Sequence, residues 1–201
     1  MNILSRVRNR LARYTKAHPF LIGAFYDLGS ARQVCAAFAV CVKTGELKRL
    51  ARGVYARPKH IRFSNKPYFG SAEDLARLWA KQFGYVLVPQ AMESAYRVGL
   101  QTQMPLRKIY WTNGHSRKFQ IGNELIEVRK RQNQSGLLLS NTPAGVLYRG
   151  LSVFEPRSLR LQQLQTACER LALTENERAI MKRRLLNSDL HPCVQQLLIQ
   201  L

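Results

Sequence analysis

Apolar positions in the first forty-five residues recur at helical spacing, with breakers where helices should stop. Leu4, Val7, Leu11 and Tyr14 stand three and four apart with arginines between them, predicting a helix from Ile3 to Lys16 that His18 and Pro19 end. A short second helix is predicted from Phe20 to Leu28, broken by Gly29. Ser30 then offers an N-cap for a third helix, Ala31 to Lys43, which Gly45 closes. Beyond it the period changes: LKRLA and VYAR flank Arg52 and Gly53, predicting a tight hairpin despite imperfect alternation. Three helices followed by a basic hairpin is the order of a winged helix-turn-helix.

The stretch from Lys59 to Gly70 reads as a linker, with Asn65, Pro67 and Gly70 as turn residues. A helix is predicted from Ser71, with Asp74 as an acidic capping partner, an apolar stripe of Leu75, Leu78, Trp79 and Phe83, and a stop at Gly84. YVLVP predicts a short strand and QAMESAYRVGL a helix, while KIYWT, KFQIG and ELIEVRK predict a three-strand meander turning at asparagine–glycine pairs. The C-terminal third is helical in pattern: Leu161, Leu164, Cys168 and Leu171 form one stripe, and Thr174 with Glu177 opens a helix carrying Ile180, Met181, Leu185 and Leu186. A terminal stripe of Val194, Leu197, Leu198 and Leu201 suits a partner surface or packing within its own domain. The expected fold is α+β, with a winged helix-turn-helix domain over residues 1–60 and a mixed α/β second domain with a helical C-terminus over 61–201.

Charge sharpens the picture. Thirty-two Lys and Arg face twelve Asp and Glu, a net charge of +20 that calls for an anionic partner. A membrane fits poorly, because the longest apolar run is the nine residues Val34 to Val42 and a spanning helix needs about twenty. Nothing near the N-terminus resembles a secretory signal, so a cytoplasmic protein is expected. Cys35, Cys41, Cys168 and Cys193 lack CxxC pairing and are expected to be reduced and buried. His18, His60, His115 and His191 lie too far apart for a zinc site, and no cofactor is expected. Residues 1–60 hold twelve basic residues against only Asp27 and Glu46, whereas residues 151–201 hold seven against five acids. The electrostatic footprint therefore leans to the N-terminal end.

Within that end, turning the third helix at about 100° per residue groups Val34, Ala37, Phe38, Cys41 and Val42 on one face. Arg32, Gln33, Ala36, Ala39 and Lys43 share the opposite face. A recognition helix needs this division, with Arg suited to guanine and Gln to adenine, although an ordinary amphipathic surface helix shares it. The hairpin adds Lys48, Arg49, Arg52 and Arg57 around one turn, with Arg52 at the tip where a wing meets phosphate or the minor groove. The DNA-contacting set is thus Arg32, Gln33, Ala36, Lys43, Lys48, Arg49, Arg52 and Arg57. Asp27 reads as a helix cap or a solvated charge. Enzyme chemistry is not expected: His115 and Ser116 have no orienting carboxylate nearby, and Glu124 and Glu127 fall on opposite faces of a strand.

Four stretches carry a family resemblance: FYDLGS with the third helix, GELKRLARGVYARP, VPQAMESAYRVGLQTQMP, and IYWTNGHSRKFQIGNELIEVRKR. Over Phe25 to Arg131 the chain resembles the AbiEi-like antitoxins of type IV toxin–antitoxin systems and related transcriptional regulators. That resemblance implies a repressor of its own operon that binds inverted repeats in double-stranded DNA, and that opposes a toxin without a stable complex. On matching positions it places DNA contacts at Arg32, Gln33, Lys43, Lys48, Arg49 and Arg52. Two copies are expected to meet on each operator, because one such domain reads only a few base pairs. The alternative from the charge alone is an RNA- or ribosome-binding protein without sequence-specific DNA recognition.

Overall fold

Asn2 starts the first helix: its Oδ1 accepts the Leu4 amide at 3.3 Å. In the computed structural model, which describes residues 2–62, 64–132, 134–137 and 139–201, this helix, α1, spans Ile3–Leu11 and buries Val7 and Leu11. It ends five residues before Lys16. The Arg57 guanidinium takes the carbonyls of Ala12 at 3.1 Å and Tyr14 at 2.8 Å, so those acceptors find partners outside a helix. The predicted second helix is also different. Phe20–Leu21 form a strand, β1, and Ile22–Leu28 a 3₁₀ helix. Helix α2 spans Ala31–Lys43 as its cap residues indicate. Strands β2 (Lys48–Ala51) and β3 (Val54–Ala56) follow as a hairpin, with β3 pairing on both sides to give the antiparallel order β1-β3-β2.

Lys59 and Tyr68 bridge across the expected linker, within which Phe63 lies outside the described residues. Helix α3 (Ala72–Gln82) begins at Ser71, whose hydroxyl and amide both donate to Asp74, while Glu124 accepts the Ala72 amide at 2.9 Å. Phe83 lies past its end and is 54% exposed, so it leaves the expected stripe. The chain divides into two compact units: Met1–Trp79 with Phe119–Leu125, and Ala80–Lys118 with Ile126–Leu201. The core of the first gathers Val7, Leu11, Phe20, Phe25, Val34, Phe38 and Cys41.

The second unit contains β4 (Leu87–Pro89), α4 (Ala91–Arg97) and β5 (Lys108–Thr112). Strands β6 (Arg117–Ile121) and β7 (Glu124–Lys130) each cross the boundary between the units, at Phe119 and Ile126, and the strand order is β4-β5-β7-β6. This is not the expected meander. β7 pairs parallel to β5, Ile109 opposite Glu127, and β6 takes the outer place. The loop after β5 is tied elsewhere: the Asn113 side chain accepts the Val86 amide at 2.8 Å and Ser116 accepts that of Lys130 at 2.9 Å.

Four helices follow, α5 (Pro143–Leu151), α6 (Leu161–Arg170), α7 (Glu175–Leu186) and α8 (Pro192–Ile199). Gly150 brings α5 close to α4, since a Cβ there would lie 3.2 Å from the Ala95 Cα. Leu164, Cys168, Met181, Leu185, Val194 and Leu198 close one core. The terminal stripe therefore packs within its own unit, with Leu197 and Leu201 partly buried against that core. Of the cysteines, Cys41 and Cys168 are buried as expected, but Cys35 is exposed and Cys193 half-buried.

Candidate nucleic-acid interface

Helix α2 is fixed at its start by a complete capping box. The Ser30 hydroxyl accepts the Gln33 amide at 3.4 Å, and the Gln33 Oε1 accepts the Ser30 amide at 3.1 Å. Its inner face is anchored by Phe38, fully buried, whose ring meets those of Phe25 at 5.0 Å and Tyr55 at 4.9 Å. Val34, Ala37 and Cys41 share that face. Val42 does not: at 37% exposed it turns outward, a correction to the sequence-based grouping.

The inner face dictates the outer one. At about 100° per residue, Arg32, Ala36, Ala39 and Lys43 form its centre line, and all four are exposed. Cys35 and Val42 flank that line on the hairpin side. With Ala39 they form one wall of a groove of about 650 Å³, and Arg49, Arg52, Gly53 and Tyr55 of the hairpin form the other, with Ile22 and Tyr26 also lining it. Gly53 at φ 74° makes the two-residue turn that puts Arg52 at the tip, and a register shift between Arg49 and Ala51 adds a local irregularity to β2.

The eight expected contact residues thus divide. Arg32, Ala36, Lys43, Arg49 and Arg52 lie on α2 and the hairpin with their side chains exposed. Lys48 is exposed, with its ammonium 4.8 Å over the Phe69 ring. Gln33 is exposed but its carbonyl oxygen serves the cap. Arg57 is apart from this face, its guanidinium spent on the end of α1. Cys35, Val42 and Tyr26 were not among the candidates. A helical wheel places Cys35 about 60° from Arg32, which was signal enough; Tyr26 arrives through the 3₁₀ helix, whose three-residue period buries Ile22, Phe25 and Leu28 in place of the α-helical pattern expected there.

Both acids of the first sixty residues are neutralised. Arg8 holds Glu46 through its Nε at 3.0 Å and Nη2 at 2.6 Å, and Thr44 donates to the same carboxylate at 2.7 Å. Arg10 holds Asp27 at 2.7 Å and the Ala24 carbonyl at 3.0 Å; of the two roles expected for Asp27 the solvated charge stands, its side chain being 62% exposed, with Arg10 as its partner. These arginine hydrogen bonds hold both carboxyls below the usual carboxylate range, with Thr44 assisting at Glu46. Among the described residues Arg32, Lys43, Lys48, Arg49 and Arg52 consequently have no carboxylate partner.

Residues 6–151 match DUF6088, a family of unknown function, and the chain belongs to that family. No curated protein matches it, and no solved structure does. Among the described residues no helix is long and apolar enough to cross a membrane.

Proposed function

We propose that the protein is a sequence-specific DNA-binding transcriptional regulator whose first unit acts as a winged helix-turn-helix. The observation that carries this is one exposed surface, formed by the centre line of α2 and the Arg49–Arg52 hairpin, where cations stand without carboxylate partners. The element sequence supports it too: α1, β1, the 3₁₀ helix, α2 and a β2–β3 hairpin, with β3 between the other two strands. In this reading α2 enters the major groove and Arg52 meets the backbone or minor groove alongside. The resemblance to AbiEi-like antitoxins extends the proposal to repression of its own operon at an inverted repeat, in the cytoplasm, with two copies on the operator.

Selection of duplexes from a random-sequence library by the full chain tests it. Enrichment of one motif is the expected result, and failure to enrich any sequence would overturn it. A second reading, binding of structured RNA, is favoured by the seven Lys and Arg between Arg107 and Arg131. Tight binding to an RNA hairpin without any enriched duplex would favour that reading.

A further inference from the structure

The middle of the α2 face carries no hydrogen-bonding group suited to base edges. Between Arg32 and Lys43 its centre line is Ala36 and Ala39, and Val40 and Val42 beside them are 41% and 37% exposed. Gln33, the one amide on this helix, has its oxygen held by Ser30 at 3.1 Å, so the two-bond pairing with adenine would have to break the cap. Arg32 and Lys43 are eleven positions apart, roughly 16 Å along the helix and about five base-pair steps.

We infer that the Ala36, Ala39 and Val40 surface of α2 recognises thymine methyl groups, so that the centre of each target half-site is rich in T·A pairs. This rests on the DNA-binding reading above. In the major groove only thymine presents an apolar group, its 5-methyl; the other bases offer donors and acceptors there. Small apolar side chains pressed against those polar edges would strip them of water and return no hydrogen bond, which costs free energy. Against a thymine methyl the same side chains bury apolar surface. Charge complementarity favours nucleic acid as the occupant. Arg32 and Lys43 bound the strip at its ends, Arg49 and Arg52 stand across the groove, and among the described residues none has a carboxylate partner. Phosphates beside a row of methyls, with a guanine edge in reach of Arg32 at one end of it, meet that pattern.

The test changes the DNA, so the folding of the protein is not at stake. A duplex enriched by the full chain from a random library is resynthesised with each thymine replaced singly by deoxyuridine, which removes the methyl and leaves base pairing intact. Two or three adjacent central positions should each weaken binding about four-fold, the effect of one buried methyl-sized group, while replacements outside the centre change nothing. An enriched duplex that binds equally well with every thymine replaced, or one without thymine at its centre, overturns the inference and leaves DNA recognition standing. If no duplex is enriched, the DNA-binding reading falls and this inference with it.

Discussion

Helices α2 and α7 are almost the same length, thirteen and twelve residues, and each opens with a complete capping box. They differ in the charge of their first turns, while both carry basic residues in their last. α7 places Glu175 and Glu177 in its first turn and Arg183 and Arg184 in its last, matching the helix dipole at both ends. α2 has no acid in its first turn and exposes Arg32 there, against the dipole. Exposed aliphatic positions do not separate the two, since α2 leaves Val40 and Val42 in water and α7 leaves Ile180 there. The first turn of α7 suits the stability of the helix itself, whereas that of α2 sets an exposed cation against it. Confined violations of this kind are expected where a surface is kept for a partner.

The contrast is broken most completely by removing what orients α2. Phe38→Ala should cost about 3–5 kcal/mol, because a fully buried ring leaves a cavity among Phe20, Phe25 and Tyr55. Urea unfolding followed by circular dichroism measures it. A cost under ~1 kcal/mol would mean that this face does not fix the helix.

Next in size are the exposed cations. Arg32→Ala should lower preference for the enriched duplex over random DNA by about 1–3 kcal/mol, as a lost base contact does. Arg52→Ala should weaken both duplexes alike if the tip meets phosphate. Anisotropy titrations distinguish the two patterns, and indifference of both duplexes to both changes would remove α2 and the hairpin from the interface.

Smaller still, and the sharpest on the comparison itself, is a charge reversal in each helix. Arg32→Glu should raise stability by about 0.3–1 kcal/mol while reducing DNA affinity, and Glu175→Arg should lower stability by a similar amount without touching DNA binding. Loss of stability in the Arg32→Glu protein would show that α2 is not built against its own dipole.

The smallest effect is that of pH. Arg10 holds the Asp27 carboxyl below its ordinary range, so the pair contributes stability above that range and loses it as pH falls through the lowered value. The difference in melting temperature between wild type and Asp27→Asn should therefore shrink below about pH 4. A difference that stays constant from pH 7 to pH 3 would mean that the pair contributes nothing to folding.

Much of this could be read from the sequence where the signal is local. α2 was legible to its last residue because Ser30 and Gly45 bracket an unbroken apolar period. β5 and β7 were legible as strands, but their parallel pairing was not, since register between residues eighteen positions apart is decided by loops such as Asn113 to Ser116. β1 has only two residues and takes its identity from β3, more than thirty positions on. α5 went unnoticed although Thr142 and Pro143 mark its start. At the candidate interface, Arg32, Lys43, Arg49 and Arg52 needed only the wheel and the hairpin. Arg57 looked the same in sequence, and only the fold shows its guanidinium turned to Ala12 and Tyr14.

On the proposed function, the exposed cations of the first unit serve a particular DNA sequence and not polyanions in general. Its most direct test is one set of titrations at physiological salt: the full chain against its enriched duplex, a scrambled duplex of the same composition, and a structured RNA hairpin. A preference of about a thousand-fold or more for the enriched duplex over the scrambled one is expected, with weaker binding to the hairpin. Equal affinity for all three would contradict it.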